Sequence, residues 1–204
     1  MTELMHINCY CISIKMPKII QIRPSLDDSM AASVASALTS SCLDQLNSIL
    51  YGTPLKHTTR LQRIQHAVAR VVLYQHSRTS PLSSNELLKQ LHWLPIEWRI
   101  QFKLATMTMT FKALHTDRPP YLFDLLQHHE PKRSLRSSSS HQLLVPRHKL
   151  TFGSRAFCFS APRVWNSLGL PVSIRQTKSL PTFRRHLKTF YFQSAHPLSA
   201  AHLA

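Results

Sequence analysis

The stretch 87–104, LLKQLHWLPIEWRIQFKL, decides the fold. It joins the end of a short helix, a Trp-Leu-Pro corner at 93–95 and the start of a long amphipathic helix. Just upstream, Ser83-Ser84-Asn85-Glu86 has the S-x-x-E spacing of a capping box, which satisfies the free amides of a helix start. A helix therefore opens there and runs through Leu87, Leu88 and Leu91. Pro95 ends it, because proline has no amide hydrogen to donate, and the same proline fits the first turn of the next helix. Residues 96–114 continue without Gly or Pro, and Ile96, Ile100, Leu104, Met107 and Phe111 to Leu114 mark a wide apolar face. Thr106, Thr108 and Thr110 lower the intrinsic helix propensity there, a weakness that packing overrides.

Working outward, residues 57–75 form the clearest helix. Leu61, Ile64, Val68, Val71 and Val72 make one apolar stripe, and Arg60, Arg63 and Arg70 fall mostly off it. Before it, Asp27 or Asp28 caps a helix carrying Met30, Val34, Leu38, Leu43, Leu46 and Leu50, with Ser40-Ser41 as a potential break and Gly52 and Pro54 as the stop. Residues 1–22 show no period, so no element is expected there and the segment is expected to be poorly ordered. Pro119-Pro120 starts a short helix over 121–127, after which 130–150 turn basic, Ser-rich and proline-containing, as a linker does. A second apolar cluster around 155–168 gathers Phe152, Phe157, Phe159, Val164, Trp165 and Leu168. A last helix, 179–192, starts at Ser179 and places Leu180, Phe183, Leu187 and Phe190 on one side, with Arg184, Arg185, His186 and Lys188 on the remainder. The expected architecture is mainly α: a helical bundle over 23–129, the linker 130–150, a C-terminal helical segment over 151–193 and a disordered tail over 194–204.

Composition narrows the function. Three glycines against thirteen prolines disfavour hairpin-rich β folds and phosphate-cradling loops. The net charge of +16 points to a polyanionic partner, and its distribution sharpens that, since residues 131–204 hold twelve Lys and Arg and no carboxylate. Cys9, Cys11, Cys42 and Cys158 make neither a C-x-x-C pair nor a zinc-finger spacing, which implies reduced thiols in an intracellular setting. Lys15, Pro17 and Lys18 interrupt the apolar N-terminal residues, so neither a membrane span nor a secretion signal is expected.

Several strings, in this order, resemble the region that follows the polymerase core in reverse transcriptases of non-LTR, LINE-type retrotransposons: IRPSLDDSM (22–30), LNSILYG (46–52), RLQRIQHAVARVV (60–72), ELLKQLHWLPIEWRIQFKL (86–104), FKALH (111–115), PPYLFDLL (119–126), RSLRSSSSHQLLVPRH (133–148), FGSRAFCFSAPRVWNSL (152–168) and SLPTFRRHLKTFYF (179–192). The resemblance implies an origin within a polyprotein that also carries an endonuclease and a polymerase. Its early helices would be thumb-like elements beside the polymerase, touching the template–primer duplex. The family's aromatic-x-Asp-Asp turn, which holds two magnesium ions, is missing from this chain. Residues 1–19 do not resemble the family and fit a new start codon or an out-of-frame join; GLPVSIR after Leu168 also departs from its usual run into Pro.

Most chemistry-bearing residue types here have a plainer duty. Asp27-Asp28 is the only adjacent acidic pair, and capping suits it better than metal binding, which would need further convergent carboxylates. His128 and His129 diverge on a helix, and His115 has no metal-ligand partner at i+4. Ser154 beside Gly153 is a loop serine rather than a nucleophile. Trp93, Trp98 and Trp165 are aromatic rings that could stack on bases, but core packing suits all three better, and Trp98, next to Arg99, is the one for which it is least settled. Arg60, Arg63 and Arg70 on one helix, and Arg184, Arg185 and Lys188 on another, are either phosphate contacts or a solvated face. Arg133 and Arg136, beside a serine run, are either phosphate-binding or part of a phosphorylatable segment. The expectation is a non-catalytic fragment needing no cofactor, metal, membrane or small-molecule substrate, whose partner is RNA or DNA. The alternative is an orphaned, pseudogene-like fragment that self-associates through a surface once docked on a polymerase.

Overall fold

The computed structural model describes residues 14–43, 50–75, 82–106, 110–116, 120–129, 142–147, 156–167, 175, 177 and 179–197. The protein is mainly α. Its elements are α1 (14–22), a 3-10 turn at Arg23–Ser25, α2 (Asp28–Leu43), α3 (Leu55–Val72), α4 (Ser84–Gln90), α5 (Ile96–Thr106), α6 (Thr110–Thr116), α7 (Pro120–Phe123), α8 (Phe157–Ser167) and α9 (Leu180–Ala195). Among the described residues, extended pairing is confined to an isolated antiparallel bridge between His128 and Leu143. No described helix is long and apolar enough to cross a membrane.

The chain divides into two units, one of residues 1–46, 53–98 and 195–204, the other of 47–52 and 99–194. The division differs from the bundle, linker and tail expected from the sequence. Helices after residue 99 group with the C-terminal helices because Phe111 of α6 stacks on Phe183 of α9, with ring centroids 4.5 Å apart. Part of the expected linker is built into the same unit. Leu143 is 1% exposed, and the Asn166 side chain of α8 clamps its backbone, accepting from the Leu143 amide at 2.9 Å and donating to its carbonyl at 2.8 Å. Residues 131–141, including Arg133 and Arg136, lie outside the described residues.

In the first unit, α2 packs on α3 and α3 on α4. Residues 14–22, without a period in the sequence, are helical, and Lys15 Nζ of α1 donates to Ser41 Oγ of α2 at 2.7 Å. Asp27 caps α2 by accepting from the Met30 amide at 2.7 Å. α2 runs unbroken through Ser40-Ser41, and it buries Ala31 and Ala35 rather than Met30. Small side chains there let the neighbouring helix approach. On α3 the buried face is Leu61, Gln65, Val68, Ala69 and Val72, a stripe rotated from the expected one, with Ile64 and Val71 half-buried. Ser83 caps α4 as its spacing predicts, its hydroxyl accepting from the Glu86 amide at 3.2 Å.

Arg23 ties this unit together at 2% exposure. Its Nε donates to the Val72 carbonyl at the end of α3 (2.7 Å), one terminal nitrogen donates to the Leu26 carbonyl (2.8 Å), and the other pairs with Asp28. The guanidinium also lies over the Tyr74 ring, 4.0 Å from its centroid. Tyr74 takes the left-handed conformation (φ 51°) that closes α3, with the Gln75 amide reaching back to the Arg70 carbonyl at 2.8 Å.

In the second unit, α6 packs on α7 and α8. Of the helix expected over 96–114, α5 and α6 cover 96–106 and 110–114, while 107–109, with Met107, lie outside the described residues; the buried Thr110 hydroxyl donates to the Leu104 carbonyl at 3.3 Å. Ala161, Val164 and Trp165 bury one face of α8 in spite of the internal Pro162, and Trp165 approaches Phe183, with centroids 5.8 Å apart. Ser160 is wholly buried, and its hydroxyl finds no partner among the described residues.

Two outcomes follow for stability. Replacing Arg23 with Met leaves the Val72 and Leu26 carbonyls without their charged donor, and urea unfolding should show a loss of about 2–4 kcal/mol. Ser160→Ala, in contrast, removes a buried hydroxyl that has no compensating bond. It should stabilise by about 1 kcal/mol in the same assay.

Candidate nucleic-acid interface

The first basic face lies on α3. Helix geometry places residues i, i+4 and i+7 in one row, and Lys56, Arg60 and Arg63 occupy such a row, all three exposed. The helix contains no acidic residue. Lys56 is absent from the sequence reading, which begins the helix at residue 57; Pro54, at the N-cap, instead sets the first helical residue at Leu55. Arg70, farther along, is half-buried and donates to Ser84 Oγ at the start of α4 (2.6 Å), so part of its hydrogen-bonding capacity goes to holding α3 against α4.

Beside Arg63 a cleft of about 280 Å³ opens between α3 and the start of α5. Leu55, Thr58, Thr59, Gln62, Arg63 and His66 line it from α3, and Pro95, Ile96, Glu97 and Trp98 line it from the Trp-Leu-Pro corner onward. The corner is pinned to α3 by two glutamines. Gln65, 2% exposed, donates to the Leu94 carbonyl at 2.9 Å, and Gln62 Oε1 accepts from the Ile96 amide at 2.8 Å. The Gln62 amide nitrogen also lies 2.9 Å from Gln65 Oε1 and 2.8 Å from His66 Nε2. The His66 ring nitrogen must then accept, which requires the neutral imidazole. Burial, and after it the Arg70 charge, hold His66 below its usual range, consistent with that role.

Trp98 is half-buried at this cleft, while Trp93 is buried in the core of the same unit. Arg99, the next residue of α5, is half-buried. Within the second unit, α9 carries the other basic face. Phe183, Leu187 and Tyr191 are buried, leaving Arg184, Arg185, His186 and Lys188 exposed on a helix that again lacks acidic residues. Burial, reinforced by nearby Tyr51, raises the Tyr191 hydroxyl far above its usual range and keeps it neutral beside this cationic surface. Trp165 is buried in this unit.

The remaining candidates have structural duties. Asp27 caps α2 and Asp28 pairs with Arg23. His115 stacks on Phe111 at 4.2 Å, and its Nδ1 lies 3.0 Å from the Phe111 carbonyl. His128 and His129 are exposed, and among the described residues no three His, Cys, Asp or Glu side chains converge as a metal site would require. Gly153 and Ser154 lie outside the described residues. No family model, curated protein or solved structure matches the chain.

His66 carries a pH signature. Its folded pKa lies below the unfolded value of 6.5, so the unfolded chain takes up the proton first as pH falls. The contribution to stability is complete above about pH 6.5 and is lost as pH drops through the folded value. His66→Gln keeps an acceptor for Gln62 without titrating. Its urea midpoint should fall less than that of the natural protein between about pH 7 and about pH 5.

Proposed function

We propose that this chain is a non-catalytic, C-terminal portion of a LINE-type reverse transcriptase that binds RNA or DNA through the phosphate backbone. The family part of this reading rests on the ordered strings between residues 22 and 192, and chiefly on ELLKQLHWLPIEWRIQFKL at 86–104. The observation that carries the binding part is the acid-free cationic row Lys56, Arg60 and Arg63 on α3. Exposed Arg184, Arg185 and Lys188 on α9 offer a second set of contacts. Phosphate contacts of this kind release counterions and carry little sequence information, so binding is salt-sensitive and weakly selective.

A second reading has its own observation. Tyr121, Phe123 and Leu125 are exposed on and just after α7, as an orphaned fragment that keeps a protein-docking surface would expose them. In that case the chain self-associates and its charge is inherited rather than used.

The two readings separate in one titration. The purified chain is mixed with a labelled RNA duplex bearing a single-stranded overhang, over a range of salt. Binding should weaken steeply as salt rises, with a log–log slope of roughly 0.9 per phosphate contacted. Replacing Lys56, Arg60 and Arg63 together with Ala, or Arg184, Arg185 and Lys188 together, should weaken binding uniformly across sequences and flatten the slope. Affinity unchanged in both triple variants rejects the backbone-binding proposal.

A further inference from the structure

We propose that the cleft between α3 and the start of α5 holds one unpaired nucleobase of a bound strand, stacked against Trp98, while Arg63 at its edge engages the adjoining phosphate. The inference rests on the nucleic-acid reading above and adds to it a preference for single strands.

The size of the cleft sets the first limit. Pockets for drug-sized ligands run from about 300 to 1,000 Å³. A cleft of about 280 Å³ therefore suits a base with its sugar better than a larger cofactor. The lining supplies the second. Trp98 presents an indole, and Leu55, Pro95 and Ile96 supply apolar surface, which a flat heteroaromatic ring needs. Every base has a π-face, so stacking on an indole tolerates any sequence. Glu97 and Thr59, also at the cleft, offer an acceptor and a hydroxyl for the edge of the ring.

Charge selects the occupant. Arg63 is both a lining residue and the last member of the row Lys56, Arg60 and Arg63, which spans about 10 Å of helix axis. A strand tracking that row by its phosphates arrives at the cleft with a base to place in it. In a duplex the bases are paired and stacked, so the same row meets phosphates but the cleft stays unfilled. Glu97 would repel a phosphate in the cleft itself. That leaves the phosphate to Arg63 and the ring edge to the carboxylate, which accepts from an exocyclic amino group such as that of adenine. The site is also rigidly built, because Gln62 and Gln65 bond the Ile96 amide and the Leu94 carbonyl and so fix the corner from which α5, with Trp98 in its first turn, starts.

The test measures binding of the full chain, at low salt, to end-labelled oligoadenylate RNA, to a fully abasic strand of equal length and to a blunt duplex. Oligoadenylate should bind more tightly than the abasic strand by about ten-fold or more, as expected for one stacked base. Trp98→Ala should remove that advantage and leave duplex binding unchanged, and Trp98→Phe should restore most of it. Arg63→Ala should weaken all three ligands. An abasic strand binding as tightly as oligoadenylate overturns the proposal without involving any variant, so a misfolded Trp98→Ala protein cannot obscure the result. Salt-sensitive binding that ignores base and Trp98 alike overturns the base site while the backbone-binding reading stands. No binding of any ligand overturns both.

Discussion

A guanidinium removed from water must have its charge answered nearby, and at Arg23 that requirement organises the first unit. The side chain finds a carbonyl at the end of α3, where the helix dipole is negative, a second carbonyl in the turn before α2, and the Asp28 carboxylate at the start of α2. One residue therefore fixes where three segments meet. It also accounts for Tyr74 at a left-handed position that usually favours glycine, since the strain there is offset by a ring lying under the cation. With the C-terminal end of α3 fixed, Gln62 and Gln65 on the same helix set the Trp-Leu-Pro corner. The N-terminal turns of α3 remain to carry the cationic row in solvent. Clamp, corner and cleft follow one another along a single helix.

What the sequence made legible was the part governed by local rules. The capping serine of α4, the helix after Pro95, the capping role of Asp27 and the burial of Phe183 and Leu187 on α9 follow from spacing, because caps and periodic faces act within a few residues; on α9 Tyr191 is buried, while Leu180 and Phe190, expected on that face, are half-buried. The rest depends on partners distant in the chain. Arg23 looks like a loop charge until Val72, forty-nine positions away, supplies its acceptor. Gln65 reads as a polar residue beside an apolar stripe. It is buried because its amide reaches Leu94, and that bond rotates the buried face of α3 toward it. Leu143 sits in a basic, serine-rich run with the look of a linker, and only Asn166 makes it part of a core. Pro162 masks α8, whose apolar face forms because Ala161, Val164 and Trp165 have a surface to bury against.

The candidate site divides the same way. Arg60, Arg63, Arg184, Arg185 and Lys188 were readable because they fall off their apolar stripes, and all are exposed. Lys56 was hidden by a helix start misplaced by two residues, and the role of Pro54 at the N-cap is the signal that recovers it. Arg70 has the same chemistry and periodicity as its neighbours, but its bond to Ser84 turns part of it inward. Trp98 could be singled out beside Arg99 in sequence, yet the cleft it lines depends on residues thirty or more positions upstream.

The two basic helices run against local helix energetics. Lys56 with Arg60, and Arg184 with Lys188, are like charges at i and i+4, each pair unfavourable by about 0.2–0.5 kcal/mol. Neither helix has an acidic residue to relieve them. α4, only seven residues long, shows the usual arrangement, with Glu86 and Lys89 of opposite sign one turn apart at 3.9 Å. A chain that balances charge on one short helix and leaves two longer ones unbalanced carries a cost that nothing in their own sequence offsets. Local conflicts of that kind concentrate where a structure meets a partner. A polyanion would turn the same repulsion into attraction, by replacing the neighbouring cation with phosphates as the nearest charge, and that is the physical ground of the backbone-binding proposal.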